Sequence, residues 1–157
     1  MNGAPAPARV PPGKPDQLIL LARTSDDSGS TWSEPVDLSH VGRIIGPGGV
    51  IQNRKGWLIA PEWSGGLFAL YSEDHGRTWQ RGKPVPEISG AEPQLVELSD
   101  GRILMDIRQS RGTEHRWIAV SGDGGKTWEK ARPALVTPGT RVACAIESYT
   151  SRSAGAL

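Results

Sequence analysis

An eight-residue pattern that occurs three times constrains the fold more than any other feature of this sequence. The pattern is S-x-D-x-G-x-T-W, and it occupies residues 25–32, 72–79 and 121–128. Its tryptophans are separated by 47 residues and then by 49 residues. A period of this length is typical of proteins built from similar units placed side by side. The sequence therefore predicts a repeat architecture.

The residue types in the pattern predict a β-hairpin turn, because each copy follows a run of apolar or β-branched residues. The Asp carboxylate can accept bonds from backbone N–H groups further along the turn, and the Gly allows a positive φ. The Ser and Thr hydroxyls can bond locally, and the Trp can serve as an apolar plug. The residues expected to have this structural role are Asp27, Gly29, Trp32, Asp74, Gly76, Trp79, Asp123, Gly125 and Trp128.

The pattern resembles the Asp-box, also called the bacterial neuraminidase repeat, of the sialidase family. This resemblance implies an all-β fold, a six-bladed β-propeller with Asp-boxes between the third and fourth strands of several blades. With 157 residues and three copies, about three four-stranded blades are expected, so the chain resembles part of a propeller. Asp-boxes also occur in propellers with other functions, so the repeat implies a fold and only suggests an activity.

The chain is expected to begin with a leader and to continue as a partial propeller. Residues 1–15 contain five prolines among Ala and Gly, which predicts a disordered or extended segment. Residues 16–157 are assigned to the propeller, with a last strand at 143–150. The G-P-G-G segment at 46–49 predicts a close backbone approach and resembles a Pro-Gly-rich inner strand of sialidases.

Composition excludes several function classes. The chain has 18 basic and 17 acidic residues without a basic run, which does not favour nucleic acid as a partner. Cys144 is the single cysteine, which excludes an internal disulfide, and neither it nor three scattered histidines predict a metal site. No cofactor, signal peptide or membrane span is expected, and the localisation stays undetermined. Trp57, Trp63 and Trp117 lie outside the repeats and are expected to pack on strands rather than to form a sugar platform.

Glu92 and Arg108 are the candidate functional pair. They flank the Asp-Gly turn signal at residues 100–101, with nearly equal numbers of residues on each side. An antiparallel hairpin would place them close together, ~5 Å apart at Cβ, unless the register slips. They would then lie at the end of the hairpin away from the Asp-boxes. An ordinary cross-strand ion pair is the alternative interpretation.

The segment from Glu92 to Arg108, E-P-Q-L-V-E-L-S-D-G-R-I-L-M-D-I-R, resembles the sialidase segment E-x-Q-x-x-E-L-x-D-G-x-x-x-x-N-x-R. The resemblance implies that Glu92 is catalytic and polarises a tyrosine nucleophile. It implies that Arg108 binds the substrate carboxylate, which a guanidinium can hold by two parallel hydrogen bonds. Asp106 stands where the family often has Asn, and is expected either to orient Arg108 or to be solvated.

The rest of the family's site matches poorly. By resemblance, the acid/base Asp would fall near Gly13, and Asp16 is the nearest candidate. The first arginine of the family's triad lies further upstream. The third arginine and the nucleophilic tyrosine lie in later blades, so Tyr149 and Arg152 are not assigned to these roles.

Two functions remain open. One is an exo-α-sialidase-like retaining glycoside hydrolase acting on a sialylated glycan or related acidic sugar, as a fragment that is inactive alone. The other is a non-catalytic Asp-box propeller segment that binds carbohydrate or protein. A homodimer that completes the propeller is a further possibility, since open sheet edges favour association.

Overall fold

The computed structural model describes residues 18–109 and 115–138. This part of the chain is all-β. Its strands, in chain order, are β1 (Leu21–Ala22), β2 (Val36–Asp37), β3 (Ile51–Gln52), β4 (Leu58–Glu62), β5 (Phe68–Ser72), β6 (Gln80–Arg81), β7 (Gly90–Glu97), β8 (Ile103–Gln109), β9 (His115–Ser121) and β10 (Arg132–Pro138). No helix in the described ranges is long and apolar enough to cross a membrane.

The strands form three antiparallel sheets, which we call the first, second and third blades. The first blade contains β1 and β2, the second has the order β3-β4-β5-β6, and the third has the order β7-β8-β9-β10. Strands that are consecutive in the chain are neighbours in every sheet. Such a meander needs only short connections between its strands.

Each Asp-box lies at the predicted point of its blade. Residues 72–79 connect β5 to β6, residues 121–128 connect β9 to β10, and residues 25–32 connect β1 to β2. In the two four-stranded blades this is the turn between the third and fourth strands, as the resemblance implies. The predicted blade plan is therefore confirmed for these two sheets.

The first blade differs from the expected four-stranded blade, because the described range contains only two of its strands, each two residues long. Its apolar side chains Leu21 and Val36 remain exposed, so little packing stabilises a longer pairing. The leader at 1–15, Asp16 and the strand expected at 143–150 lie outside the described residues.

The core lies between the second and third blades. It is formed by alternate residues of the strands, including Ile59 and Ala69 from one blade and Ile103, Met105 and Ile107 from the other. Ile103, Met105 and Ile107 therefore lie on the face of β8 that packs into the core. Three partly buried tryptophans pack against this core, as expected: Trp57, Trp63 and Trp117.

The G-P-G-G segment makes the predicted close approach. A Cβ added at Gly46 would lie 2.0 Å from the carbonyl oxygen of Pro93, and one at Gly48 would lie 2.3 Å from the Gln94 side-chain oxygen. No larger residue fits without movement of the third blade. The second blade therefore packs closely against the start of β7, next to Glu92.

Candidate active site

The strand register places the candidate pair at one end of the sheets. Ile103 pairs with Ser121, where the third Asp-box begins, whereas Ala91 pairs with Arg108 at the opposite end. In the second blade, Leu58 pairs with Ser72 at the Asp-box end, so β4 ends on the opposite side. We call this opposite side, which carries Glu62, Glu92 and Arg108, the charged rim.

The predicted closeness of Glu92 and Arg108 is confirmed, although by an unexpected backbone geometry. The β7–β8 register shifts between Ala91 and Gln94, and Glu92 has a φ of 49°. This positive φ is unusual for a residue with a side chain. The irregularity takes Glu92 out of the strand alternation and directs its carboxylate to Arg108.

The ion pair has two hydrogen bonds. Arg108 Nε donates to Glu92 Oε2 at 2.6 Å, and Arg108 Nη2 donates to Glu92 Oε1 at 3.2 Å. The side chains are 20% and 29% exposed, respectively, so the pair faces solvent. Arg108 Nη1 has no protein partner within residues 18–109 and 115–138. The Nη1–Nη2 edge of the guanidinium is therefore open to a second carboxylate.

Asp106 does not have the solvated environment offered as one alternative. It is buried, and Arg116 Nε donates to both of its carboxylate oxygens at 2.9 and 2.8 Å. Arg116 is also buried, on the neighbouring strand β9. The solvated interpretation of Asp106 is therefore wrong, because a buried carboxylate needs a compensating charge and Arg116 supplies it.

A second buried acid was missed in the sequence. Glu62 is fully buried at the end of β4, where Oε2 accepts a hydrogen bond from Arg81 Nη2 at 2.7 Å. Its Oε1 accepts bonds from the Ser64 amide at 2.9 Å, the Arg43 amide at 3.3 Å and the Ser64 hydroxyl. A lone acidic residue in the otherwise apolar strand L-I-A-P-E was the signal available.

The three Asp-boxes show the same local bonds. In each, the Thr amide donates to Asp Oδ1 at 2.8 to 2.9 Å, and the Thr hydroxyl donates to Asp Oδ2 at 2.5 to 2.6 Å. The Ser hydroxyl donates to Asp Oδ1 at 2.8 Å. The glycines have φ values of 86°, 87° and 90°, as the turn requires: Gly29, Gly76 and Gly125.

These bonds favour the ionised carboxylates. The Thr31 hydroxyl and amide lower the pKa of Asp27 to about 2, and the Thr78 hydroxyl and amide do the same for Asp74. Burial acts to raise the pKa of Asp123, but its hydrogen bonds outweigh burial and the pKa is lowered.

The tryptophans of the Asp-boxes are not equivalent plugs. Trp128 is 8% exposed, whereas Trp32 is 58% exposed, which differs from the expectation for the first copy. The third box packs against the second blade, where Cβ positions at Gly125 and Gly124 would contact Ala69 and Trp57. No earlier blade in the described residues covers the first box, so its ring stays in solvent.

No group of three or more His, Cys, Asp or Glu residues in the described ranges is arranged to hold a metal ion.

Comparison with known proteins identifies the family. The model of the BNR repeat-like domain family matches residues 10–150. The chain belongs to this family, within the sialidase superfamily. It is 34% identical over 134 residues to a sialidase of Micromonospora viridifaciens, a match covering 74% of this chain and 21% of the relative. It is 31% identical over 130 residues to a sialidase of Clostridium perfringens, covering 69% of this chain and 34% of the relative.

Solved structures give the same fold. A sialidase of Streptococcus pneumoniae superimposes with a TM-score of 0.66 at 28% identity, covering 78% of this chain and 20% of that one. An intramolecular trans-sialidase of Ruminococcus gnavus gives a TM-score of 0.65 at 31% identity, covering 76% and 27%. The fold is therefore that of a sialidase-type β-propeller. The chain spans about a fifth to a third of the length of these relatives.

Proposed function

We propose that this chain is part of an exo-α-sialidase-type glycoside hydrolase, which releases terminal sialic acid from glycoconjugates with retention of configuration. The observation that carries the proposal is the two-bond ion pair between Glu92 and Arg108 at the charged rim. It lies in the segment that resembles the sialidase pattern most closely. The strained φ of Glu92 supports it, since such strain is concentrated at functional sites.

Arg108 is proposed to bind the carboxylate of the sugar through its Nη1–Nη2 edge. Glu92 already occupies the Nε–Nη2 edge, so the same guanidinium can hold both groups in fixed positions. Planar two-bond recognition of this kind is specific to arginine and is not reproduced by lysine.

Glu92 is proposed to act on a tyrosine contributed from outside the described residues. It would accept the phenol proton while the phenol oxygen bonds to the anomeric carbon and the glycosidic C–O bond breaks. The leaving oxygen would take a proton from an acid, for which Asp16 remains the candidate, and water would later release the sugar. A neutral nucleophile avoids repulsion by the substrate carboxylate, and sialidases are a known exception to the two-carboxylate scheme. The scheme uses no metal or cofactor.

Residues 1–157 alone are expected to bind sialic acid weakly and not to turn over a sialoside. Catalysis by groups that act as a unit is lost when several of them are missing. Glu92 and Arg108 supply only one acidic group and one arginine of the proposed site.

Binding of free sialic acid tests the proposal directly. We expect Arg108→Gln to weaken binding at least ~10-fold, measured by two-dimensional NMR titration, because one charged two-bond contact is lost. The matched control is Arg77→Gln, an exposed arginine in the second Asp-box at the opposite end. The methyl ester of sialic acid should bind as weakly to the wild type as the acid binds to Arg108→Gln. Equal affinities of the acid for wild type, Arg108→Gln and Arg77→Gln would contradict the proposal.

A non-catalytic binding segment is the second candidate, because Glu92 already satisfies Arg108 as an ordinary cross-strand ion pair does. Release of fluorophore from an activated aryl sialoside separates the two. Turnover by residues 1–157 that Arg108→Ala abolishes would mean that an assembled site exists, and sedimentation should then show a homodimer. A folded protein that binds neither sialic acid nor sialosides would favour the second candidate.

A further inference from the structure

A pocket at the charged rim, separate from the Glu92–Arg108 pair, is lined by cationic and hydroxyl side chains. It encloses about 270 Å³ between the first and second blades. None of its lining residues is acidic, and its polar side chains come from Ser39, His40, Arg43, Ser64 and Arg81. We propose that this pocket, which we call the arginine pocket, binds an oxyanion, a carboxylate or a sulfate ester, on an acidic glycan.

The chain topology places the arginine pocket on the same rim as Glu92. Strand β2 leads away from the first Asp-box, so residues 39–43 follow at the end opposite the boxes. Ser64 follows Glu62 at the end of β4, also away from the Asp-boxes. A ligand at Glu92 therefore approaches the same side of the molecule as a ligand in the pocket.

Arg81 is held in place before any ligand arrives. Its Nη2 donates to Glu62 Oε2 at 2.7 Å and to the Ser64 carbonyl at 3.0 Å, and its guanidinium carbon lies 3.6 Å from the centroid of the Phe68 ring. Within the described ranges, Nε and Nη1 have no partner. A guanidinium fixed on one edge and open on another needs little reorganisation to accept an oxyanion.

Arg43 supplies the second cation. Its backbone amide donates to Glu62 Oε1 at 3.3 Å, which ties the start of the 43–46 segment to the same buried acid. Its guanidinium has no hydrogen bond or ion pair in the part of the chain that the structure describes. Because the charge of Glu62 is already balanced by Arg81, the charge of Arg43 is available for an anion.

The distance between the two sites suits a glycan. Gly46 lies three positions after Arg43, and it closely approaches Pro93, which follows Glu92. Three residue steps span at most ~10 Å, so the arginine pocket lies within reach of a sugar near the one bound at Arg108. The inference that the ligand is a glycan rests on the proposed function, whereas the inference that the pocket binds oxyanions does not.

Titration with sodium sulfate at constant ionic strength tests the pocket itself. We expect sulfate to shift the Nε–Hε NMR signals of Arg43 and Arg81 in the wild-type chain. We expect Arg43→Gln to weaken sulfate binding at least tenfold and Arg77→Gln to leave it unchanged. Arg43 is the chosen variant because its side chain is exposed, whereas Arg81→Gln would leave Glu62 buried without its cation. Sulfate affinities that are equal in all three proteins would overturn the proposal.

Oligosaccharides distinguish the two sources of the oxyanion. A disialylated and a sulfated sialyl oligosaccharide are compared with monosialylated lactose, and Arg43→Gln should reduce affinity for at least one of the first two about tenfold without changing the third. An effect on the disialylated ligand alone would assign a carboxylate, and an effect on the sulfated one alone would assign a sulfate ester. No effect on either would overturn the glycan as ligand.

Arg108→Gln makes failure of the two proposals distinguishable. It should weaken binding of monosialylated lactose at least tenfold and leave the sulfate-dependent shifts of Arg43 and Arg81 intact. An unchanged affinity for the sialoside in Arg108→Gln would refute the proposed role of Arg108, and the sulfate titration would still test the pocket.

Discussion

The two ends of the blades are stabilised in different ways. At the Asp-box end, the carboxylates bind groups two and four residues away in the chain, and the same bonds recur in all three boxes. At the charged rim, ion pairs join residues 10, 16 and 19 positions apart, and each has a different geometry. A repeated local motif can build the fold, whereas the rim can differ from blade to blade and is free to carry function.

The environment of the acids also differs between the two ends. Asp27 and Asp74 remain open to water, whereas Glu62 and Asp106 are buried and depend on an arginine from another strand of the same blade. Loss of a partner should therefore cost more at the charged rim than at the Asp-box end.

The largest effect is expected for Arg116→Met. The change leaves the buried Asp106 carboxylate without the guanidinium that binds both of its oxygens, and removal of one partner of a buried ion pair costs about 3–5 kcal/mol. Urea unfolding should show this loss. The control is Arg102→Met, which breaks an exposed ion pair with Asp100 and should change stability little. Similar losses of stability in the two variants would mean that burial does not determine how much an ion pair contributes to stability.

The next effect is expected for Gly46→Ala, which tests how the second blade supports the Glu92 backbone. The new methyl group would lie 2.0 Å from the Pro93 carbonyl oxygen, so the blades must separate, at a cost of about 2–3 kcal/mol. The control is Gly122→Ala, where a Cβ meets nothing within 4 Å. Urea unfolding measures the stability of both variants, and the NMR shifts of Glu92 should change only in Gly46→Ala. An unchanged stability of Gly46→Ala would contradict the close approach.

A smaller effect is expected within the Asp-boxes, and it should differ between copies. Asp123→Ala removes an acceptor of three hydrogen bonds in the box that packs against the second blade, and should cost about 1–2 kcal/mol. Asp27→Ala removes the same bonds in the exposed first box and should cost less. Urea unfolding of the two variants gives the order directly. A larger loss of stability for Asp27→Ala would show that packing of an Asp-box against a neighbouring blade does not determine how much its Asp contributes to stability.

The Asp-box end could be predicted from the sequence because its bonds are local. The spacing of Ser, Asp, Gly, Thr and Trp determines both the turn and its hydrogen bonds, and the Asp-Gly signal at residues 100–101 places the β7–β8 turn. The approach of Glu92 to Arg108 also followed from counting residues on each side of that turn.

The details of the charged rim could not be predicted, because they depend on contacts between side chains on different strands. Ala91 is the register partner of Arg108, and a register shift with a positive φ brings Glu92 to it. Counting residues does not reveal such an irregularity. To predict the pairs Glu62–Arg81 and Asp106–Arg116, one would need to know the strand lengths and which face of each sheet is covered by the neighbouring blade.

The smallest expected effect is a loss of stability at the Asp-box end at acidic pH. The pKa values of Asp27 and Asp74 are lowered from 3.8 to about 2, chiefly by the hydroxyls of Thr31 and Thr78. A lowered pKa in the folded state means that the carboxylate contributes its full stabilisation above about pH 4 and loses it as the pH falls through about 2. Carboxyl ¹³C shifts followed from about pH 6 to about pH 1.5 give each midpoint.

Thr78→Val sharpens this last comparison, because it removes the hydroxyl from one box and leaves the other unchanged. The pKa of Asp74 should rise toward its ordinary value, whereas that of Asp27 should stay at about 2. The urea midpoint of the variant should then begin to fall at a higher pH than that of the wild type, since Asp74 becomes protonated sooner. If the Asp74 midpoint does not move, the threonine hydroxyl is not the main cause of the low pKa, and the repeated motif stabilises the turn through its backbone bonds.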